Sequence, residues 1–189
     1  MNIAEDRLMT IWEGCLQNDR KQQEQLYRLL APKMLAVCMR YATDKDEAQD
    51  ILQEGFIKMF RNMNNYRGDG SLEGWIRRIM VHCAISRYRK LKPMVLVDDF
   101  AAESSMPMSK SYNDNELEAK DLMKLIQKLP KTYRSVFNMY AIEGYSHQEI
   151  GSSLGMSELL SRTTLYRARN ILKDMISQLT MREQHCLAG

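Results

Sequence analysis

Between residues 44 and 63 the apolar positions recur at the interval of a helix. Ala48, Ile51, Leu52, Phe56, Met59, Phe60 and Met63 follow the i, i+3, i+4, i+7 rule. Asp44 and Glu47 stand three residues apart at the start of this run, in capping-box positions. Two amphipathic stretches before it predict helices over about 3–17 and 20–42. The segment NYRGDGS (65–71) then gathers turn-forming residues. Beyond it the pattern predicts a fourth helix over about 71–91, with Leu72, Trp75, Ile76, Ile79, Met80 and Cys83 on one side.

The helical period is lost over residues 92–115, which hold Pro93 and Pro107 and carry two basic against four acidic groups. This stretch is expected to be a flexible linker. Periodicity returns over 116–180, leaving 181–189 as a tail. Leu122, Leu125, Ile126 and Leu129 are expected to line one helix, and Tyr133, Val136, Phe137 and Tyr140 the next. The expected fold class is all-α: two small helical domains, residues 1–91 and 116–180, joined by the linker.

The segment SHQEIGSSLGMSELLSRTTLYRARNIL (146–172) carries most of the chemical information. Ser146 and Glu149 form an S-x-x-E capping box at the head of a short helix. Ile150 and Leu154 give that helix one apolar edge, and Gly151 is small enough for a second helix to cross closely. Gly155 then allows a turn, because glycine accepts a positive φ at little steric cost. Ser157 is a good N-cap for the helix that follows. A short helix, a glycine turn and a longer helix form a helix-turn-helix, the motif that sets its second helix in the DNA major groove. At about 100° per residue, Ser161, Leu165, Ala168, Leu172 and Met175 form a packing face on that second helix. Thr163, Tyr166, Arg167 and Asn170 lie opposite, with Arg162 and Lys173 on a flank. A face of cations and hydrogen-bonding groups suits phosphates and base edges, although a plain solvated helix face has the same composition.

Composition narrows the choices. Hydrophobic residues make up 44% of the 189 positions, enough for a packed core and too many for a disordered chain. The net charge of +3 is too small to identify a nucleic-acid partner, so the placement of charge matters more. The predicted fourth helix has one acid, Glu73, against five bases, Arg77, Arg78, Arg87, Arg89 and Lys90, the electrostatic footprint of a nucleic-acid surface. Cys15, Cys38, Cys83 and Cys186 are far apart, with no Cys-x-x-Cys and no clustered histidines, so no metal or other cofactor is expected and a reducing compartment is. No apolar run approaches a membrane span or a signal core, and a cytoplasmic protein without membrane insertion is expected. Nor is there a phosphate-cradling glycine loop or a nucleophile–base pair at motif spacing. The chain is not expected to be an enzyme.

Two of these stretches carry a resemblance. GYSHQEIGSSLGMSE followed by LYRAR is similar to the promoter −35-reading domain of bacterial RNA polymerase sigma factors. DEAQDILQEGFIKMFRNMNNYRGDGSLEGWIRRIMVHCAISRYRK (46–90) resembles their domain that recognises and melts the −10 element. Two such domains with only a linker between them are the layout of the extracytoplasmic-function (ECF) group.

The resemblance implies a function: binding core RNA polymerase and directing promoter-specific initiation, with an anti-sigma factor as a further partner. It also implies roles for residues. Ser157, Arg162, Thr163, Thr164, Tyr166, Arg167, Asn170 and Lys173 would meet −35 DNA. Tyr66, Arg67, Gly68, Asp69, Gly70, Ser71, Arg77, Arg78, His82, Ser86, Arg89 and Lys90 would meet the −10 element, Tyr66 by stacking on a base. Asp50, Gln53, Glu54, Ile57, Lys58 and Arg61 would face the polymerase, with Ile57 an aliphatic anchor ringed by polar groups. Trp75 reads as a core residue. The chain departs from the family at His82 and Ser86, where Asn and Asp are common, and at Leu159-Leu160, where Gly-Thr is usual. The alternatives are a stand-alone helix-turn-helix regulator that uses residues 1–91 to dimerise or bind a ligand, and a polymerase-binding module whose DNA helix has decayed.

Overall fold

The computed structural model describes residues 3–91 and 119–187, and every regular element among them is helical. The expected linker, 92–115, lies outside the described residues. Contacts divide the chain into two units that meet in sequence near residue 88.

The first unit contains α1 (Ile3–Leu16), α2 (Arg20–Met39), α3 (Lys45–Arg61), a 3₁₀ turn (Met63–Asn65) and α4 (Leu72–Leu91). The α1–α2 corner is tight: Asn18 takes a left-handed φ of 59°, which Asn tolerates better than most residues. Asp19 then caps α2, accepting from the amides of Lys21 and Gln22 at 2.8 and 3.4 Å. Asp44 caps α3 by accepting from the Glu47 amide at 2.8 Å. The Glu47 carboxylate reaches back to the amide of Thr43, one residue before the cap, so the capping box is offset from its usual closure.

Helix α2 packs against both α1 and α3. Leu26, Leu30, Met34, Ile51, Met59, Ile76 and Met80 are all but fully buried, and each contributes roughly 1.5–3 kcal/mol of burial. The buried face of α4 is wider than its pattern suggests, because Val81, Ala84 and Ile85 are buried as well. Burial pushes the thiols of Cys15 and Cys38 up to about 11 and 12, so both stay protonated and behave as core side chains. No helix among the described residues is long and apolar enough to cross a membrane.

The second unit contains α5 (Ala119–Lys128), α6 (Lys131–Phe137), a π-turn (Asn138–Ile142), α7 (His147–Leu154) and α8 (Glu158–Leu187). Helices α6 and α7 pack on α8, and Leu125, Ile126, Leu129, Ala168 and Leu172 form a core cluster. Helix α8 runs on as far as Leu187, into the stretch expected to be a tail. Two apolar expectations need correction. Leu122, in the first turns of α5, is 37% exposed. Tyr140 is equally exposed because the π-turn adds a residue to its helical turn and rotates the side chain outward.

Candidate nucleic-acid interface

The helix-turn-helix is built by local chemistry. The Ser146 hydroxyl accepts from the Glu149 amide, and the Glu149 carboxylate accepts from the Ser146 amide at 2.8 Å, closing both halves of the capping box. Helix α7 ends at Gly155, whose φ of 69° is left-handed. The chain then turns so tightly over Gly151 that a Cβ there would lie 2.7 Å from the main-chain oxygen of Met156. Ser157 opens α8 by accepting from the Leu160 amide at 3.1 Å. His147, the first residue of α7, meets the Ser161 hydroxyl at 2.9 Å and stacks on Tyr140 at 4.4 Å between ring centroids. These contacts set the angle between the two helices.

Helix α8 consequently presents one face to the core and one to solvent. Ser161, Thr164, Leu165, Ala168 and Leu172 are buried. Ser157, Arg162, Thr163, Tyr166, Arg167, Asn170 and Lys173 are exposed, as expected of a DNA-reading surface. Thr164 leaves that set: only 4% exposed, it lies three residues from Ser161 on the packing side and cannot reach a base. Arg162 is paired with Glu158 at 2.6 Å. Arg169, absent from the expected set, is exposed beside this face and lies 5.6 Å from the centre of the Tyr140 ring. Its neighbourhood depends on the π-turn, which sequence spacing does not reveal.

In the first unit, Arg67 to Ser71 form an exposed loop with positive φ at Gly68 and Gly70. Two loop residues have internal roles. Ser71 accepts from the Gly74 amide at 3.1 Å and so starts α4. Tyr66 is half-buried between Trp12 and Trp75, with ring centroids 5.8 and 5.6 Å away, and its hydroxyl donates to the Gly70 carbonyl. Its ring thus belongs to an aromatic cluster that includes Trp75, itself half-buried. Trp12 was not among the candidate residues, because it is far from Tyr66 in sequence.

Arg78, His82, Ser86 and Arg89 share an exposed line along α4, with exposed Lys90 beside them and half-buried Arg77 turned away. Burial of part of its ring, together with the cations Arg78 and Lys58, holds His82 below the usual histidine range. The neutral ring offers one donor and one acceptor.

On α3, Ile57 is 49% exposed. The polar groups around it are held by partners: Asp50 by Arg87 at 2.8 Å, Gln53 by the Tyr27 hydroxyl at 3.1 Å and Glu54 by Lys58 at 2.7 Å. The Glu54 bond raises the pKa of Lys58 above its ordinary value. Arg61 is exposed at the end of the same face.

Comparison with known proteins accounts for both units. Residues 26–93 match the family model for sigma-70 region 2, and residues 119–172 match that for sigma-70 region 4. The chain is 30% identical over 161 residues to the ECF RNA polymerase sigma factor SigE of Mycolicibacterium smegmatis, spanning 82% of this chain and 62% of that protein. It is 31% identical over 140 residues to RNA polymerase sigma factor SigV of Bacillus subtilis, covering 74% of this chain and 80% of that one. With the RNA polymerase sigma-H factor of Pseudomonas aeruginosa it shares 25% identity across 94% and 97% of the two chains. The fold is also that of the sigma factor RpoE of Bartonella quintana, solved in complex with the anti-sigma factor NepR (TM-score 0.51, 20% identity, covering 82% and 96% of the two chains). A stand-alone regulator is not favoured, since its supposed dimerisation or ligand domain matches region 2. The chain belongs to the sigma-70 family of bacterial RNA polymerase sigma factors and to its extracytoplasmic-function group.

Proposed function

We propose that this sigma factor docks on core RNA polymerase through the α3 face around Ile57, and that it divides promoter recognition between its two units. The observation that carries the docking assignment is the half-exposed Ile57 on an otherwise polar helix face whose side chains are already held in place. An aliphatic anchor in a preorganised polar rim is the pattern of an interface hot spot, because little side-chain freedom is lost on binding.

The exposed stripe of α8 reads the −35 element, with Thr163, Tyr166 and Asn170 at base edges and Arg162, Arg167 and Lys173 at phosphates. Arg78, His82, Ser86, Arg89 and Lys90 meet the −10 strand, and the Arg67–Ser71 loop holds an unpaired base against its glycine backbone. Strand opening draws on the binding of unstacked bases, with no nucleotide hydrolysis by this chain. Catalysis belongs to the polymerase. Residues 1–91 and 116–180 are the two functional domains, and the protein acts in the cytoplasm. An anti-sigma factor, the kind of partner seen on the Bartonella relative, covers the docking or DNA-reading faces when transcription is to be held off.

The test is capture of bacterial core RNA polymerase by the full chain and by Ile57→Glu. The wild type should bind. The variant should keep the wild-type circular dichroism and melting temperature while losing at least tenfold in affinity, as expected for removal of a hot spot. Equal capture by the two proteins would remove Ile57 from the interface.

A further inference from the structure

We infer that Leu159 is a base-reading residue, and that it recognises the C5-methyl of a thymine in the −35 element. This rests on the assignment of α8 to the −35 duplex. Leu159 is 71% exposed, more than Ile57 at 49% or Tyr166 at 68%. It stands in the first turn of α8, at the head of the stripe that continues through Thr163, Tyr166 and Asn170, directly opposite the buried Ser161, Ala168 and Leu172. In a helix-turn-helix the N-terminal residues of the second helix approach the base edges.

Leu159 is too exposed to belong to the core, and its own side chain carries no charge for a phosphate. The nearest charges, Glu158 and Arg162, are paired with each other at 2.6 Å. Its side chain has no hydrogen-bonding group, so the donors and acceptors of the groove edge are outside its chemistry. The apolar feature that a base pair presents in the major groove is the methyl group of thymine. Leucine at this position therefore selects for thymine, covering its methyl from water, and leaves any other base without a partner. Leu160, next in sequence, is half-buried and does not share this position.

The experiment uses the full chain bound to core RNA polymerase. Promoters are first selected from a pool randomised upstream of the −10 element. Each thymine of the enriched upstream element is then replaced singly by deoxyuridine, which removes the methyl and leaves the hydrogen-bonding edge intact. At one position the wild type should lose roughly fourfold in affinity, the value of one buried methyl. Leu159→Ala should bind the two duplexes there equally. Leu159→Gln should shift the preferred base at that position to adenine, which glutamine reads through two hydrogen bonds. The inference is overturned if deoxyuridine costs the wild type and Leu159→Ala the same at every thymine, or if the enriched element contains no thymine. If the holoenzyme binds promoters but no upstream sequence is enriched, the −35 reading of α8 fails and this inference with it. Leu159 is exposed and alanine is a good helix former, so the variants keep the fold.

Discussion

Two close crossings, one in each unit, use glycine in different ways. In the first unit Gly55 of α3 lies against the thioether end of Met80 on α4, so that a Cβ would overlap Met80 Sδ. In the second, Gly151 of α7 lies against the main chain of the turn to α8, and the turn closes on it by a 3.0 Å bond from the Met156 amide. A thioether on three rotatable bonds yields to a new neighbour. The Met156 carbonyl does not, because it is part of a main-chain turn whose own amide is bonded to Gly151. The α3–α4 crossing is thus limited by a side chain that can adapt, whereas the α7–α8 turn is limited by main chain. The difference suits the proposed tasks: a rigid reader for the duplex, and a more adaptable surface for strands whose shape changes on opening.

The sharpest way to break this comparison is to add one methyl at each crossing. Gly151→Ala should cost roughly 2 kcal/mol through overpacking, lowering the helical melting transition by roughly 10 °C in a unit of this size. Gly55→Ala should cost less, since the thioether end of Met80 can turn aside within the core where the Met156 carbonyl cannot. The two tryptophans, Trp12 and Trp75, both lie in the first unit. Tryptophan fluorescence therefore follows that unit alone, while circular dichroism follows both. Gly151→Ala should move the dichroism transition and leave the fluorescence transition in place. Equal losses from the two substitutions would show that the crossings are held alike.

The caps allow a finer comparison. Removing the Ser146 hydroxyl by Ser146→Ala should cost about 1 kcal/mol, visible in circular dichroism and silent in fluorescence. Asp44→Ala should cost about as much in the first unit, and there both signals should shift. A smaller loss at Asp44 would mean that the offset bond from Glu47 to the Thr43 amide carries the helix start by itself.

These caps were legible in the sequence because their chemistry is local. Ser146 with Glu149, Gly155 and Ser157 lie within twelve positions, and each geometry follows from residue type and spacing. The exposed stripe of α8 and the lone aliphatic Ile57 were legible for the same reason, since a regular helix converts sequence spacing into direction. Thr164 was misplaced because it sits at the edge of the buried arc, where packing by α6 and α7 decides. Tyr140 was misread because nothing in its spacing signals a π-turn. The Trp12–Tyr66–Trp75 cluster joins residues more than fifty positions apart, which periodicity cannot connect. The task assigned to Tyr66 changed most for that reason, while Ser71 is engaged by a local bond from the Gly74 amide.

The smallest expected effect is one of pH, and it separates the units by their histidines. His147 lies below the usual histidine range, first because of burial and then because of the Arg162 cation, with Glu158 opposing and Arg169 adding to it. A lowered pKa in the fold means that the unfolded chain takes up the proton first. The stability due to neutral His147 is therefore complete above the unfolded value of about 6.5, and it is lost as pH falls from there through the folded value. Protonation also makes Nδ1, which faces the Ser161 hydroxyl, an obligate donor and places a cation at the first turn of α7, where the helix dipole disfavours it. Between pH 7.5 and 5, wild-type protein should thus lose more helical stability than His147→Gln, with the tryptophan transition equal in the two proteins. His82→Gln should show the matching difference in fluorescence, because burial, Arg78 and Lys58 depress His82 in the same direction. If His147→Gln and the wild type keep parallel pH profiles, the contact with Ser161 holds the helix-turn-helix equally well in either protonation state, and the rigidity of the second unit owes nothing to this histidine.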